Sequence, residues 1–328
     1  MTDIHSRARG SLWGLAIGDA LGMPTQDLSL ETIRADYGFV NTLLPAGPRQ
    51  EIAHGAPAGM ITDDTEQALI LARLLADSGR VDPMTFCADM LSWEESMIER
   101  GSLDLLGPST KQALLEIRGG ASPADAGKNG TTNGAAMRVA PVGISAPSQP
   151  MTGLVDAVVD ASYITHGTSV ALAGAAAVAG VISAALDGAH TAEALDYGLQ
   201  AAAIAADRGN PVTAPDLTRR ARWATAHLAQ AEDKEVALFH EIGTSMQSHE
   251  SVVAALAITA LDVSDWDAVC LAASAGGDTD TVAAMVGAMR GALSGVDTWP
   301  DDVVRDVSRQ NNLEFDDLAA ALLNHRSI

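Results

Sequence analysis

Apolar residues recur along this chain at helical spacing, and the runs are punctuated by capping residues, glycines and prolines. Residues 68–75 and 252–261 are apolar over more than one helix face, as expected of helices at the centre of a bundle. Asp82-Pro83 sets a capping side chain before a first-turn proline, and Ala214-Pro215 opens another polar-apolar segment. Ser264 with Asp267 forms a capping-box-like pair ahead of residues 269–273. Period-two runs of Val, Ile, Thr and aromatic residues are nearly absent, so the pattern predicts an all-α bundle rather than any sheet fold. Residues 43–62, 102–109, 119–136 and 146–150 are rich in Gly, Pro and Asn and are read as loops, where functional residues are expected. Residues 170–186 carry no charge, yet the stretch is short for a membrane span and rich in Ala and Gly, which predicts a closely packed core helix. No repeat of solenoid length and no low-complexity tail interrupts this picture.

With 328 residues, 47% of them hydrophobic, the chain can bury a large core. One domain over residues 1–328 is expected, because two acidic segments far apart in sequence would have to fold together to share a site. A net charge of -22 from 42 acidic and 20 basic residues argues against nucleic acid or an anionic membrane as partner, since phosphate neutralisation needs clustered Lys and Arg. Most of those acids are expected on a solvated surface, so only the ones in unusual settings call for a mechanism. Cys87 and Cys270 stand alone, with no C-x-x-C spacing, as in a reducing compartment. Gly10, Ser11, Gly14 and Asp19 interrupt any leader-like apolar stretch at the N-terminus, and the expected location is the cytoplasm.

Two segments stand out. Thr62-Asp63-Asp64-Thr65-Glu66 leads into the apolar helix predicted over 67–76. Gly276-Gly277-Asp278-Thr279-Asp280-Thr281 leads into a small-residue helix predicted over 282–293. Helix capping by Thr62 or Asp63, with Asp64 and Glu66 near the positive end of the dipole, explains the first segment taken alone. Adjacent carboxylates in a confined site resist joint ionisation unless a cation compensates them, and two such clusters point to hard divalent ions held by carboxylate and hydroxyl oxygens. With no Cys or His nearby, zinc is disfavoured.

Three further segments are weaker signals. Asp19 lies within the Gly- and Ala-rich run Gly14 to Pro24, where partial burial would let it support the site from behind. In Asn133-Gly134-Ala135-Ala136-Met137-Arg138 the small residues would admit a ligand to the backbone, and Arg138 would pair with phosphate or brace a carboxylate. His166 follows Thr165 and, considered alone, is more often a core histidine than a catalytic one.

In this order, Gly18-Asp19-Ala20-Leu21-Gly22, Thr62-Asp63-Asp64-Thr65, Asn133 to Arg138, Thr165-His166 and Gly276 to Thr281 resemble the ADP-ribosylglycohydrolase family, which includes bacterial hydrolases that remove ADP-ribose from dinitrogenase reductase. The resemblance implies a compact orthogonal multi-helix bundle with a binuclear Mg2+ or Mn2+ centre. Thr62, Asp63 and Asp64 would bind from one side and Asp278, Asp280 and Thr281 from the other, with Asp64 and Asp278 as catalytic carboxylates. Asn133, Gly134, Ala135, Ala136 and Met137 would approach the substrate, with Asp19 and Gln26 contributing and His166 lining the cleft. Many family members carry a Glu shortly after the G-D-A-x-G motif, where this chain has Met23-Pro24-Thr25-Gln26, followed by Asp27. A glutamine cannot exchange a proton as a carboxylate can, which opens a smaller ribosyl or nucleoside-like substrate beside the ADP-ribosyl one.

The expected reaction is hydrolysis at the anomeric carbon of a ribosyl or ADP-ribosyl group, free or attached to a protein, with the ions lowering the pKa of bound water. A metal-dependent phosphohydrolase and a non-catalytic nucleotide-sugar-binding protein are the alternatives. Released phosphate would mark the first, and tight ADP-ribose binding without turnover the second.

Overall fold

The sequence punctuation translates directly into helix starts. In the computed structural model, which describes residues 3–102 and 106–327, Asp82 accepts a hydrogen bond from the Thr85 amide at 2.8 Å, with Pro83 in the first turn of helix Pro83–Glu99. Ser264 does the same for Asp267, at 3.0 Å, ahead of helix Asp265–Ser274. At Ala214-Pro215 the helix begins later, over Leu217–Gln230, because the cap is Asp216, whose carboxylate takes the Arg219 amide at 2.9 Å where Ala214 offers no acceptor. The described residues contain 18 α-helical segments and no strand, only three isolated bridges, and so form the expected all-α multi-helix bundle.

Residues 43–62 contain no regular element, as expected of a loop. The stretch 119–136 is different: Ser122 and Pro123 start a short helix, Pro123–Ala126, which passes into a 3-10 turn, Gly127–Asn129, before helix Gly134–Met137 begins. Cap and proline here nucleate single turns that the glycines then stop. Of the loop expected over 102–109, residues 103–105 lie outside the described residues, and helix Pro108–Arg118 already begins at its end.

Helix Ser169–Leu186 is long and apolar enough to cross a membrane by length and composition, but 94% of it is buried inside the bundle as a core helix. One continuous cluster of buried apolar side chains runs from Ala8 to Leu323. Both cysteines are buried thiols inside it or at its edge, and burial pushes Cys87 up to about 11 and Cys270 up to about 12.

The contact that positions the site is between helix Ile4–Gly22 and helix Thr279–Ser294. Gly10, Gly14, Gly18 and Gly22 recur every four residues and present one bare stripe of backbone. A Cβ on Gly14 would lie 2.1 Å from the Gly287 carbonyl oxygen, one on Gly18 2.0 Å from that of Ala283, and one on Gly22 2.4 Å from the Asp280 Cα. The two backbones therefore touch, and the stripe sets Asp280 against Gly22 at the end of the first helix. Gly14→Ala should force the helices apart and cost about 2 to 3 kcal/mol. Equilibrium urea unfolding would measure the loss, and a change under about 0.5 kcal/mol would show that the close approach is not required.

Candidate functional site

Helix Asp63–Ser78 starts at the acidic segment 62–66, but not by capping. Thr62 occupies the cap position and makes no side-chain bond to its own helix. Its hydroxyl donates instead to Asp19 at 2.7 Å, and lies 3.3 Å from an Asp64 oxygen. Asp19 accepts in addition from the Thr62 amide at 3.0 Å, the Thr65 amide at 3.1 Å and the Thr65 hydroxyl at 2.5 Å. Asp19 is thus a buried clamp from the first helix that takes over the capping work and holds Thr62 and Thr65 in place. Burial raises its carboxyl to about 6 against these lowering hydrogen bonds. With 0% exposure and its oxygens occupied by Thr62 and Thr65, it is a support beneath the site and not a substrate contact.

The second acidic segment meets the first. Gly276 and Gly277, at φ 82° and 73°, turn the chain so that Asp278 opens helix Thr279–Ser294, again without a side-chain cap bond. The turn is pinned by an isolated bridge between Leu28 and Gly277 and by the Asp278 amide donating to the Thr244 carbonyl at 2.8 Å. Asp64 is completely buried, hydrogen-bonded by the Thr281 hydroxyl, and its Oδ1 has no partner. Burial first, then the charges of Asp63, Asp19 and Asp278, hold its carboxyl well above the usual carboxylate range. Asp278 is also raised, chiefly by burial, although it accepts from Asn133 Nδ2 at 2.5 Å and lies within hydrogen-bonding reach of Asp280 and Thr281. Carboxylates from opposite ends of the chain are therefore forced into mutual repulsion, with one buried oxygen unsatisfied. Such a cluster is stable only if protons or cations enter it.

A cleft of about 220 Å³ opens over these groups, with Gln26, Asp63, Asn133, Gly134, Met137, Asp278, Asp280 and Thr281 in its walls. Ile52, Leu106, Gly107, Pro108, Thr110, Thr132 and Met246 complete it; Ile52, Leu106 to Pro108 and Thr132 fall in segments expected to be functional loops, while nothing in the local sequence pointed to Thr110 or Met246. Gln26 donates its amide N-H to Asp280 at 2.5 Å, while its Oε1 is buried without a partner. Asp27 is exposed, in the left-handed region at φ 59°, and acts on the site through its charge on Asp278 and through its amide, which donates to the Gly277 carbonyl at 2.7 Å.

Besides Asp19, three expected substrate contacts, Ala135, Ala136 and His166, are corrected, as is one of the two roles open to Arg138. Ala135 and Ala136 are buried in helix Gly134–Met137 and lie outside the cleft wall, because the short helix turns them into the core. His166 is fully buried behind the cleft, under Gly134, whose added Cβ would meet the imidazole at 2.9 Å. Arg138 is 1% exposed and cannot reach a substrate phosphate. It stands over the Phe86 ring at 5.1 Å and donates to Gln67 at 3.0 Å, and Gln67 donates in turn to Asp63 at 2.7 Å, so it braces a carboxylate through one intermediary.

Arg138 also donates to Thr165 Oγ1 at 2.6 Å, which leaves that hydroxyl proton for His166 Nδ1 at 2.8 Å. His166 Nε2-H then points to Thr132 at 3.0 Å, and Thr132 to Ser109 at 2.9 Å. A neutral imidazole satisfies every member of this chain. Burial, then the Arg138 charge, lowers the His166 pKa well below its usual value. Because the folded value is depressed, the unfolded chain binds the proton first: the contribution is intact above about pH 6.5 and is lost as pH falls below it, by up to about 1.4 kcal/mol per pH unit. Thermal unfolding between pH 7.5 and 5 should therefore show a shallower acid decline in His166→Gln than in the native protein. Parallel curves would mean that His166 does not titrate in this way.

Which residues could hold a metal follows from these oxygens. Among the described residues no group of three His, Cys, Asp or Glu side chains closes a cage by itself. The available set is mixed: carboxylates of Asp63, Asp64, Asp278 and Asp280 with the hydroxyls of Thr62 and Thr281, a hard-oxygen set of the kind that magnesium and manganese complete with water.

Comparison with known proteins places the fold. The family model described as ADP-ribosylglycohydrolase matches residues 1–327. An uncharacterized protein of Escherichia coli, YegU, is 34% identical over 98% of this chain and 97% of its own length. The ADP-ribosylarginine hydrolase Tri1 of Pseudomonas putida is 28% identical over 94% of this chain and 76% of its own. A solved structure described as an ADP-ribosylglycohydrolase-related protein complex superposes with a TM-score of 0.75, at 28% identity and 99% coverage of both chains. The chain belongs to the ADP-ribosylglycohydrolase family and is, as such, a hydrolase of glycosidic bonds.

Proposed function

We propose that this protein hydrolyses the bond at the anomeric carbon of an ADP-ribosyl or related ribosyl group, using two divalent cations, Mg2+ or Mn2+. The observation that carries the reading is the buried, half-unpartnered Asp64 carboxylate, held among Asp63, Asp19 and Asp278, of which Asp63 and Asp278 line the cleft. Thr62, Asp63 and Asp64 would hold the ions from one side, and Asp278, Asp280 and Thr281 from the other. When bound, the ions offset the carboxylate repulsion, fix the sugar hydroxyls and acidify a bound water.

The chain's own residues do the rest. Asn133 and Gln26 fix the Asp278 and Asp280 carboxylates by amide N-H donation, and Asp19 fixes Thr62. Asn133, Gly134 and Met137 line the wall that faces the sugar. In the reaction the water oxygen bonds to the anomeric carbon, and the bond to the leaving atom breaks with its electron pair going to that atom. One water proton follows it. We assign the passage of that proton to the Asp64 carboxylate, whose Oδ1 is without a partner in this cluster.

The relative named as an ADP-ribosylarginine hydrolase supports an ADP-ribosyl substrate, carried on a protein or free. Turnover across ADP-ribosylated protein, ADP-ribose esters and simple ribosides, with Mg2+ or Mn2+, tests the reading. Asp278→Ala should lose activity on the order of 10²-fold or more. Unchanged activity in that variant, or phosphate rather than a ribosyl compound as the product, would overturn it.

A further inference from the structure

Beside the catalytic cleft lies a second and larger chamber, of about 400 Å³. Ile52 lines both, and the consecutive residues Thr62 and Asp63 each line one of them, so the two cavities adjoin at these residues. The cleft over the carboxylates, about 220 Å³, is below the usual size of a small-molecule site, whereas the chamber falls inside that range. A substrate with its sugar over the carboxylates needs further room, and the chamber adjoins the site at Thr62.

The lining of this chamber is specific in its chemistry. Three thioethers face it, from Met23, Met60 and Met97, together with Ile52 and Ile61. It also contains Glu66 and Arg100, but these are spent on each other: the guanidinium donates to Glu66 at 3.3 and 3.1 Å, and the Trp93 indole N-H donates to the same carboxylate. Arg100 also contacts Met97 Sδ at 2.5 Å. Among the carboxylates and guanidinium in its lining the chamber thus offers a ligand neither an uncommitted anion for a guanidinium nor an uncommitted cation for a phosphate, and the exposed imidazole of His54 is its remaining ionisable group. Methionine side chains adapt to flat rings and make favourable sulfur-aromatic contacts.

We propose that this chamber receives the leaving group of the substrate, and that the group it fits is an uncharged planar heteroaromatic ring rather than an arginine guanidinium. The inference rests on the glycosidase reading above and names its leaving-group class. Glu66 then acts as a specificity determinant: paired with Arg100 it rejects a cation, and released from Arg100 it would welcome one.

Calorimetry with free adenine as probe tests the chamber without turnover. Adenine should bind the native protein, bind within about twofold as well when ADP-ribose is saturating, and bind at least about tenfold more weakly to Met60→Trp, whose indole fills the chamber. No adenine binding, or no effect of Met60→Trp, overturns the proposal. Displacement of adenine by ADP-ribose also overturns it, because the chamber would then hold the adenine of an ADP-ribosyl group and not a leaving base. A kinetic arm uses Arg100→Ala, which changes a half-exposed side chain: the ratio of kcat/KM for an ADP-ribosylarginine over that for a ribosyl heterocycle should rise about tenfold or more. An unchanged ratio contradicts the role given to Glu66. If the native protein cleaves neither substrate, the glycosidase reading fails, and the adenine titration still decides whether the chamber takes a ring.

Discussion

Asp64→Asn should make the cation-free protein more stable and the enzyme inactive. Asp64 is buried, one of its oxygens has no partner, and three neighbouring carboxylates raise its cost of ionisation. An amide of the same shape removes that repulsion and can donate a hydrogen bond to a neighbouring carboxylate, for a gain of about 1 to 2 kcal/mol. In a chain of this size that raises the unfolding midpoint by roughly 3 °C. Activity should fall on the order of 10³-fold, because the variant lacks both the proton-accepting oxygen and a cation ligand. The stabilisation that Mg2+ or Mn2+ gives the native protein should also shrink, since a ligand stabilises only the state that binds it. Differential scanning calorimetry with and without the ions, beside an activity assay, reads all three effects. A variant that is less stable and still active would mean that the charge at position 64 serves the fold and not the chemistry.

Arg138→Met should cost about 3 kcal/mol, the largest loss of stability expected from any single side chain discussed above. The guanidinium is buried, stacked over Phe86, and connects two otherwise separate polar groups, Gln67 and Thr165. Burial depresses its pKa to about 10, against the partly compensating charge of Asp63, so it remains a cation at neutral pH. Methionine fills most of the volume but leaves the Gln67 oxygen unpaired in the core and the Asp63 charge without its counterpart. Lysine should not rescue it, because the two acceptors need the separate donors of a planar fork. Urea unfolding measures the loss, and a cost below 1 kcal/mol for Arg138→Met would show that the relay from Arg138 through Gln67 to Asp63 is not a structural support.

These two residues also show how far the sequence could be read. The acidic pairs at 63–64 and 278–280 were legible because carboxylates beside threonines at two helix starts are chemically unusual wherever they occur, and the caps at Asp82 and Ser264 follow rules confined to four residues. The failure of Thr62 to cap was not legible: it depends on Asp19 reaching across from another helix to take the Thr62 and Thr65 donors. For Arg138 the sequence left open a phosphate partner or a braced carboxylate, and for His166 a core position or, by the resemblance, the cleft lining, since a conspicuous polar residue in a motif carries no mark of which side of the backbone it will occupy. The structure puts both behind the wall, where they hold Thr132 and Asp63. The glycine ladder was present in the spacing of Gly10, Gly14, Gly18 and Gly22, but its meaning required the partner helix that carries Gly287 and Gly291. The methionine-lined chamber has no local signal, because Met23, Met60 and Met97 come from three unrelated segments.

The measurement that bears most directly on the central claim is anomalous diffraction from crystals of the protein grown with Mn2+. Two manganese peaks should appear in the cleft, each within bonding reach of oxygens from both the Thr62 to Asp64 segment and the Asp278 to Thr281 segment, and both should vanish in Asp278→Ala. Peaks confined to surface carboxylates, or a cleft that stays free of manganese at saturating concentration, would contradict the account.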